Sequence, residues 1–251
     1  MYDSMFFGTF KSKLKEEASL EITNNIYQVP EFASYYESIA QESMNGDLEY
    51  YLASFDESDQ VLEIGTGNGR ILKPLLKHGI EIYGIEPEKE MLTFLNEEEK
   101  SRVYVGGIEE LHHFEHSGKY THIIIPATSV SLFEDQYFSA FLRNVKQLLK
   151  SKGKILFDFL SPECIEELNE KVSVEKIKDQ LFLSGNFIKG KQFIYNIYTK
   201  TAAGERKLGY SVKNIYSIEQ VSKLCEQFGY TAHVLRNNKD YIMMEVVNDE
   251  I

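Results

Sequence analysis

The fold is decided by the stretch Val61-Leu62-Glu63-Ile64-Gly65-Thr66-Gly67-Asn68-Gly69-Arg70. It begins as an apolar strand, carries an acid two residues before the first glycine, and has glycine at positions 65, 67 and 69. Glycines in this arrangement let the chain turn sharply after a strand and approach a ligand without a Cβ in the way. The helix expected to follow points its N-terminal amides at the same ligand. The stretch therefore predicts a ligand-binding turn between a strand and a helix.

The spacing of the glycines separates two kinds of glycine-rich loop. A dinucleotide-binding fingerprint reads G-x-G-x-x-G, and its third glycine would fall at position 70, which is Arg70. The pattern E-x-G-x-G-x-G instead fits from Glu63 to Gly69 without a mismatch. A carboxylate at Glu63 also repels phosphates and attracts an amino group. A second acid, Glu86, closes the next strand-like segment, and an ordinary glycine-rich turn remains the alternative without a ligand.

Together, the glycine run and Glu86 resemble the cofactor-binding signature of the class I S-adenosylmethionine-dependent methyltransferases. The resemblance covers residues 61–160 strongly and the flanks only by architecture. It implies S-adenosyl-L-methionine as the cofactor, with the glycines under its homocysteine part and Glu86 accepting hydrogen bonds from both ribose hydroxyls. Many family members have Asp where this chain has Gly107. In this chain, backbone groups are therefore expected to contact the edge of the adenine. The cofactor-binding residues that the resemblance implies are Tyr36, Glu63, Gly65, Gly67, Gly69, Glu86, Pro87, Met91, Gly107, Ile108 and Ala127.

An alternation of strand and helix patterns after residue 60 predicts an α/β fold. Continuous apolar strands separated by helices favour a parallel sheet that is covered on both faces. We expect a Rossmann-like, seven-stranded, mostly parallel sheet with helices on both faces, and the resemblance implies that its final strand runs antiparallel. The predicted strands are 61–64, 80–85, 102–105, 122–125, 154–160, 231–235 and 241–247, and the predicted helices are 68–78, 88–96, 136–149 and 218–228.

Two regions outside this alternation have patterns of their own. The N-terminal 60 residues show no strand pattern and two helical segments, 30–40 and 47–55, which predicts a helical cap or lid. From about residue 172 the pattern changes to two-residue alternation with glycine turn signals, which indicates antiparallel strands. The expected organisation is an N-terminal helical cap (1–60), an S-adenosylmethionine-binding core (61–160), an antiparallel substrate or dimer insertion (161–216) and a C-terminal helix and strands that complete the core sheet (217–251).

The formal net charge of −12 is unevenly distributed. Residues 1–60 hold 12 acidic and 3 basic side chains, whereas residues 171–216 hold 9 basic and 3 acidic ones. An acidic chain is a poor binder of polyanions, so nucleic acid is not expected as a partner. The two opposed blocks are either solvated surface or segments that face each other across the mouth of the active site.

Composition also limits the compartment and the chemistry. No apolar run approaches the ~20 residues that span a bilayer, and no signal peptide is evident, so a cytoplasmic protein without membrane attachment is expected. Cys164 and Cys225 lack metal or redox spacing and are interpreted as reduced thiols. No metal is expected. The histidine cluster 112, 113 and 116 is interpreted as solvated surface, and no catalytic base is assigned.

The overall resemblance and the insertion together indicate the class of methyl acceptor. The architecture resembles methyltransferases that act on amines of small molecules and peptide natural products, which implies N-methylation by in-line displacement. O-methylation and a binding protein without turnover are the alternatives. The basic, aromatic strands of the insertion are expected to hold an anionic or extended substrate or to form a dimer interface, so the chain is either a monomer or a homodimer. The candidate substrate-binding residues are Tyr27, Thr128, Tyr195 and Arg206.

Overall fold

The computed structural model describes residues 2–16, 19–40, 46–113 and 118–248. The chain divides into two units. The core unit consists of Ala40–Ser161 and Tyr216–Ile251, and the insertion unit consists of Met1–Ile39 and Pro162–Ile215. Within the described ranges, every helix is too short or too polar to cross a membrane.

Twelve strands and eight α-helices lie in the described residues. The strands are β1 (Leu20–Thr23), β2 (Gln60–Ile64), β3 (Glu81–Glu86), β4 (Val103–Val105), β5 (Tyr120–Ile125), β6 (Leu149–Leu160), β7 (Val172–Ile177), β8 (Gln180–Lys189), β9 (Gln192–Lys200), β10 (Arg206–Asn214), β11 (Tyr230–Asn237) and β12 (Tyr241–Asn248). The helices are α1 (Gly8–Glu16), α2 (Pro30–Ala40), α3 (Asp47–Ser54), α4 (Leu72–Lys77), α5 (Glu97–Lys100), α6 (Asp135–Val145), α7 (Pro162–Leu168) and α8 (Ile218–Glu226).

The core unit contains a seven-stranded sheet in the order β11-β12-β6-β5-β2-β3-β4. The five strands from β6 to β4 run parallel to one another. Strand β12 runs antiparallel to β6 and forms a hairpin with β11. Because β2 is central, its carboxyl end lies between the ends of β5 and β3, where open α/β sheets bind ligands. The predicted Rossmann-like fold is confirmed.

Two apolar clusters cover the opposite faces of this sheet. Successive residues of a strand point to opposite faces, so Leu62 belongs to one cluster and Val61 to the other. The Leu62 face packs against α6 and α8, and the Val61 face packs against α3 and α4. Burial on both faces explains why the central strands are almost continuously apolar.

The insertion unit contains a five-stranded sheet in the order β1-β10-β9-β8-β7. Strands β7 to β10 form an antiparallel meander, as the two-residue alternation predicts. Phe6 and Phe10 pack in an apolar cluster with Ile194 of β9, and Phe32 of α2 packs in a separate cluster with Ile197. Odd and even positions of β9 point to opposite faces, so each face has its own apolar cover.

The N-terminal segment differs from its sequence expectation. Residues 1–60 were expected to be free of strands, but β1 pairs in parallel with β10, with Leu20 opposite Arg206. A strand of four residues is too short to show a periodic pattern, and its pairing partner is remote in sequence. Helix α3 lies in the core unit, so the division between the units falls after Ile39 and not at residue 60.

Two helix predictions in the core unit are also corrected. The expected helix 88–96 is a 3₁₀ turn, Met91–Phe94, followed by the one-turn helix α5. The Asn96 side chain accepts from the Glu99 N–H, and Glu99 accepts from the Asn96 N–H, so a capping box starts a new helix here. Helix α4 begins at Leu72 and not at 68, because Gly69 has a left-handed backbone.

Candidate active site

The three glycines of the loop after β2 all have left-handed backbones. Their φ angles are +75° at Gly65, +57° at Gly67 and +80° at Gly69, a region that side chains with a Cβ rarely adopt. A Cβ on Gly69 would also lie 2.5 Å from Leu95 Cδ2. The Gly65 N–H donates to the Ile85 carbonyl at 2.8 Å, which fixes the loop to the end of the neighbouring β3. Backbone geometry therefore explains the glycine spacing.

Glu86, the last residue of β3, faces this loop. Its Oε2 accepts from the Gly67 N–H at 2.8 Å and its Oε1 accepts from the Glu88 N–H at 2.9 Å. The residue is 5% exposed, and burial raises the pKa of its carboxyl to about 7 against the two hydrogen bonds, which lower it. Each carboxylate oxygen can accept a second hydrogen bond beyond its N–H. Glu86 can therefore accept from two further donors.

Glu63 occupies the buried side of the same turn. It is 1% exposed, and its Oε2 has no hydrogen-bond partner among the described residues. Burial raises the pKa of the Glu63 carboxyl well above its usual value, opposed by the nearby Arg70. Its placement beneath the turn is consistent with the E-x-G-x-G-x-G pattern, and its cofactor-binding role stays a prediction.

The loops after β3 and β4 carry the residues expected beside an adenine. Met91 is 2% exposed, and its Cε lies 3.5 Å from the place of a Cβ on Gly67, whereas Pro87 is exposed. The Gly107 N–H donates to Glu110 Oε2 at 3.3 Å, and Ile108 packs on the core cluster. These residues lie at the carboxyl ends of adjacent strands, as expected for one ligand-binding edge.

Ala127 and Thr128 follow β5 at the same edge of the sheet. Both have left-handed backbones, with φ of 56° and 59°. This conformation is unusual for any residue with a Cβ and more so for a β-branched one. The Thr128 N–H donates to Asp158 Oδ1 of β6, and both residues are buried.

The sequence of the glycine loop and its neighbouring strands matches a known family. The model described as "Methyltransferase domain" matches residues 61–153. This segment is similar to a methyltransferase domain. A search of curated protein sequences finds no match to the chain.

Solved methyltransferases share the fold of the chain. The CcbJ methyltransferase from Streptomyces caelestis has a TM-score of 0.71 at 16% identity, over 88% of this chain and 97% of that one. The sugar N-methyltransferase KedS8 from a Streptoalloteichus species has a TM-score of 0.69 at 14% identity, over 86% and 92%. The amino pentose methyltransferase CalS10 from Micromonospora echinaspora, solved with S-adenosylmethionine bound, has a TM-score of 0.58 at 11% identity, over 97% and 98%. At these identities the likeness is one of fold.

The core unit contains an ion pair that the sequence analysis missed. Arg70 donates to both carboxylate oxygens of Asp47, at 2.8 and 2.5 Å, and the two side chains are 12% and 3% exposed. Arg70 entered the sequence analysis only as the residue that breaks the dinucleotide pattern. The charge of Arg70 beside a buried strand was the available signal. Its partner Asp47 lies 23 residues earlier, so local spacing does not indicate the pair.

Asp158 was missed as well. It stands alone as a charged residue in the apolar run Ile155–Leu160, and an isolated carboxylate in a buried strand is a signal for a specific partner. Tyr51 of α3 lies on the same face of the sheet. Burial and the nearby Asp158, Asp47 and Glu63 raise the pKa of the Tyr51 hydroxyl well above its usual value.

Four predicted site residues lie in the insertion unit and not in the core unit. Tyr27 and Tyr36 are half-buried, and their rings meet edge to face with centroids 5.9 Å apart. Tyr195 lies on β9, where burial raises the pKa of its hydroxyl well above the usual value. Arg206 begins β10 opposite Lys200. Their cofactor-binding and substrate-binding roles stay predictions.

The histidines contribute little to the described site. The side chains of His112 and His113 and the whole of His116 lie outside the described residues. His122 Nδ1 lies 3.2 Å from Asp59 Oδ1, and burial lowers its pKa. Within the described ranges, no three His, Cys, Asp or Glu side chains group as a metal ion requires.

Proposed function

We propose that this protein transfers a methyl group from S-adenosyl-L-methionine to an amine of a small metabolite or peptide. The observation that carries the proposal is the pairing of the glycine loop with Glu86 across the ends of β2 and β3. The glycines leave the backbone open to close approach, and the Glu86 carboxylate is held in place by Gly67 and Glu88. Two oxygens with a free lone pair each suit the two adjacent hydroxyls of a ribose.

The charge around the loop supports a cationic ligand over a phosphate. Three carboxylates (Asp47, Glu63 and Asp158) and one guanidinium (Arg70) surround the Tyr51 hydroxyl. Because Asp47 is paired with Arg70 and burial raises the pKa of Glu63, this group of side chains gives a pyrophosphate no cation to pair with. The electrostatics and the glycine spacing therefore both disfavour a dinucleotide as the ligand.

Methyl transfer depends more on the correct positioning of donor and acceptor than on reactive side chains. S-adenosylmethionine supplies an electrophilic methyl group on a sulfonium, which is a good leaving group. The nitrogen–carbon bond forms as the carbon–sulfur bond breaks, so the protein must hold a neutral amine in line with the methyl carbon. A protonated amine must first lose its proton to a base or to water. The role of Glu86 and the glycine loop is to orient the methyl donor, and the Ala127–Thr128 loop is proposed to lie between the donor and the acceptor.

An amine acceptor is favoured over a hydroxyl by the fold neighbours. Two of the three solved structures reported above are a sugar N-methyltransferase and an amino pentose methyltransferase. O-methylation and cofactor binding without turnover are the alternatives. The net charge of −12 disfavours nucleic acid as a partner, and we propose a cytoplasmic monomer or homodimer.

Calorimetry tests the methyl-donor site. We expect the protein to bind both S-adenosylmethionine and S-adenosylhomocysteine. Glu86→Ala should weaken binding by about 1–3 kcal/mol, the scale of a lost hydrogen bond to a charged group. Glu81→Ala is the matched control, since Glu81 begins the same strand at the opposite edge of the sheet and should leave binding unchanged. If neither ligand binds, the proposed function is rejected.

Mass spectrometry tests the acceptor. Panels of amines, alcohols and peptides are incubated with S-adenosylmethionine, and products are searched for added methyl groups and for S-adenosylhomocysteine. Methylated amines support the proposal, and methylated hydroxyls replace it with O-methylation. Cofactor binding without any S-adenosylhomocysteine formation identifies a binding protein.

A further inference from the structure

The turn after β5 has an unusual backbone. Ala127 and Thr128 are consecutive left-handed residues, and neither is glycine. Side chains with a Cβ disfavour this conformation, which persists only where the surroundings hold it, and such places concentrate at functional sites. The residue that stabilises this turn is therefore relevant to the function of the turn.

One buried carboxylate holds the turn. Asp158 is 4% exposed and accepts from the Thr128 N–H, which is the amide between the two left-handed residues. Strand β6 places it there, because Ile125 pairs with Phe157 and the next residue of β6 lies beside the turn. The turn then continues as a 3₁₀ turn, in which the Ser131 N–H donates to the Thr128 carbonyl at 3.0 Å.

The same turn packs against the glycine loop. Ser129 Oγ lies 3.4 Å from the place that a Cβ on Gly65 would take. The carboxyl ends of β2 and β5 are adjacent, since Glu63 pairs with Ile124. The turn at 127–128 therefore lies beside the proposed methyl-donor site, where it would form part of the surface that an acceptor meets.

We propose that Asp158 is a positioning residue for methyl transfer, which holds the Ala127–Thr128 backbone in its left-handed form against the glycine loop. The inference rests on the proposed function. Asp158 touches neither the methyl donor nor the acceptor in this assignment, and it acts only through the turn. Its loss should misplace the acceptor side of the site while the methyl-donor side, held by Glu86 and the glycines, remains intact.

Variants at Asp158 test this role. Asp158→Ala should lower the turnover of the best amine acceptor about tenfold or more, because small misplacements of reacting groups are costly. Affinity for S-adenosylmethionine should stay within about threefold of wild type, since the glycine loop and Glu86 remain. Asp158→Asn keeps the Oδ1 acceptor and should retain most of the turnover. Asp240→Ala removes an exposed carboxylate and is the control.

A second-site change separates positioning from simple destabilisation. Ala127→Gly removes only a methyl group and lets residue 127 adopt the left-handed form without penalty. Added to Asp158→Ala, it should restore at least part of the turnover under conditions in which urea denaturation shows every variant to be folded, so that the rescue does not reflect a gain in stability. Hydrogen exchange in the protein alone should show the Thr128 amide exchanging about tenfold or more faster in Asp158→Ala.

The outcomes distinguish the two proposals. If wild-type protein fails to bind S-adenosylmethionine or to methylate any amine, the proposed function fails, while hydrogen exchange still decides whether Asp158 holds the turn. The positioning role is overturned by wild-type turnover and exchange in Asp158→Ala, or by an equal loss of donor affinity and turnover. Lack of any rescue by Asp158→Asn and by Ala127→Gly also overturns it.

Discussion

Among single residues, Glu86 shows how burial and hydrogen bonding oppose each other at one carboxyl. The N–H groups of Gly67 and Glu88 favour its ionised form, but burial favours the neutral form more strongly and raises its pKa to about 7. In the unfolded chain the pKa of a glutamate is about 4.3. The folded protein therefore binds one more proton than the unfolded chain between these two values.

Stability should consequently depend on pH through Glu86. Its contribution is fully present below about pH 4.3 and is lost as the pH rises through about 7, because the raised pKa belongs to the folded state. The free energy of unfolding should fall by about 3–4 kcal/mol over this window from this group, at about 1.4 kcal/mol per pKa unit. Urea unfolding of wild type and Glu86→Gln from pH 5 to 8 measures the effect, and the variant should show the shallower decline.

Glu63 makes the paired comparison necessary. Its pKa is also raised by burial, so it contributes a decline of the same sign in both proteins. The difference between wild type and Glu86→Gln measures the contribution of Glu86 together with its effect on Glu63, whose pKa the nearby Glu86 also raises. Identical pH dependence in the two proteins would contradict the assignment.

Among the secondary-structure elements, α3 is tied to the glycine loop by one buried ion pair. Asp47 is the first residue of α3, and Arg70 follows the last glycine of the loop. Breaking a buried pair leaves one charge without compensation, which is more costly than losing an exposed pair. The Asp47–Arg70 pair is therefore expected to matter for the stability of the core unit.

Arg70→Met should destabilise the protein by about 3–5 kcal/mol, because Asp47 stays buried without its partner. The double variant Asp47→Asn/Arg70→Met should lose less than Arg70→Met alone. Lys100→Met provides the control, since the Lys100–Glu97 pair is exposed and should cost only about 0–1 kcal/mol. Urea denaturation measures all three, and an equal small loss for Arg70→Met and Lys100→Met would show that the buried pair is dispensable.

In the whole molecule, the two units have separate apolar cores. Phe10 is fully buried in a cluster of the insertion unit, and Phe138 is fully buried in a cluster of the core unit. The two clusters share no residue. A destabilising substitution in one core should therefore first reduce hydrogen-exchange protection within its own unit.

Phe10→Ala should cost about 3–5 kcal/mol, the range for removing a buried phenylalanine side chain. Hydrogen exchange should accelerate in β8, β9 and β10, while amides of β2, β5 and β6 keep their protection. Phe138→Ala should give the reverse pattern. Uniform acceleration across both sheets in either variant would show that the chain opens as one cooperative unit.

The sequence by itself determined the parts of this protein that depend on local chemistry. The apolar strands, the positions of the glycines and the acid at the end of β3 were predicted because a strand, a left-handed turn and a strand end each impose requirements on nearby residues. The mostly parallel sheet and its antiparallel final strand then followed from the resemblance to a known fold. The short strand β1 and the break between residues 88 and 96 were missed, since a remote pairing and a capping box override the local pattern.

Only the tertiary structure decided how distant side chains complete the site. Asp158 reaches Thr128 across 30 residues, and Arg70 reaches Asp47 across 23. Each pair forms because the order of the strands and the packing of α3 bring the partners together, and no local spacing records either of these. Burial of Glu63 and Glu86 has the same origin, because surrounding elements remove water from the carboxylates. The local sequence thus determined the positions of the loop and its acidic residues. Tertiary packing determined the protonation equilibria of these acids and their distant partners.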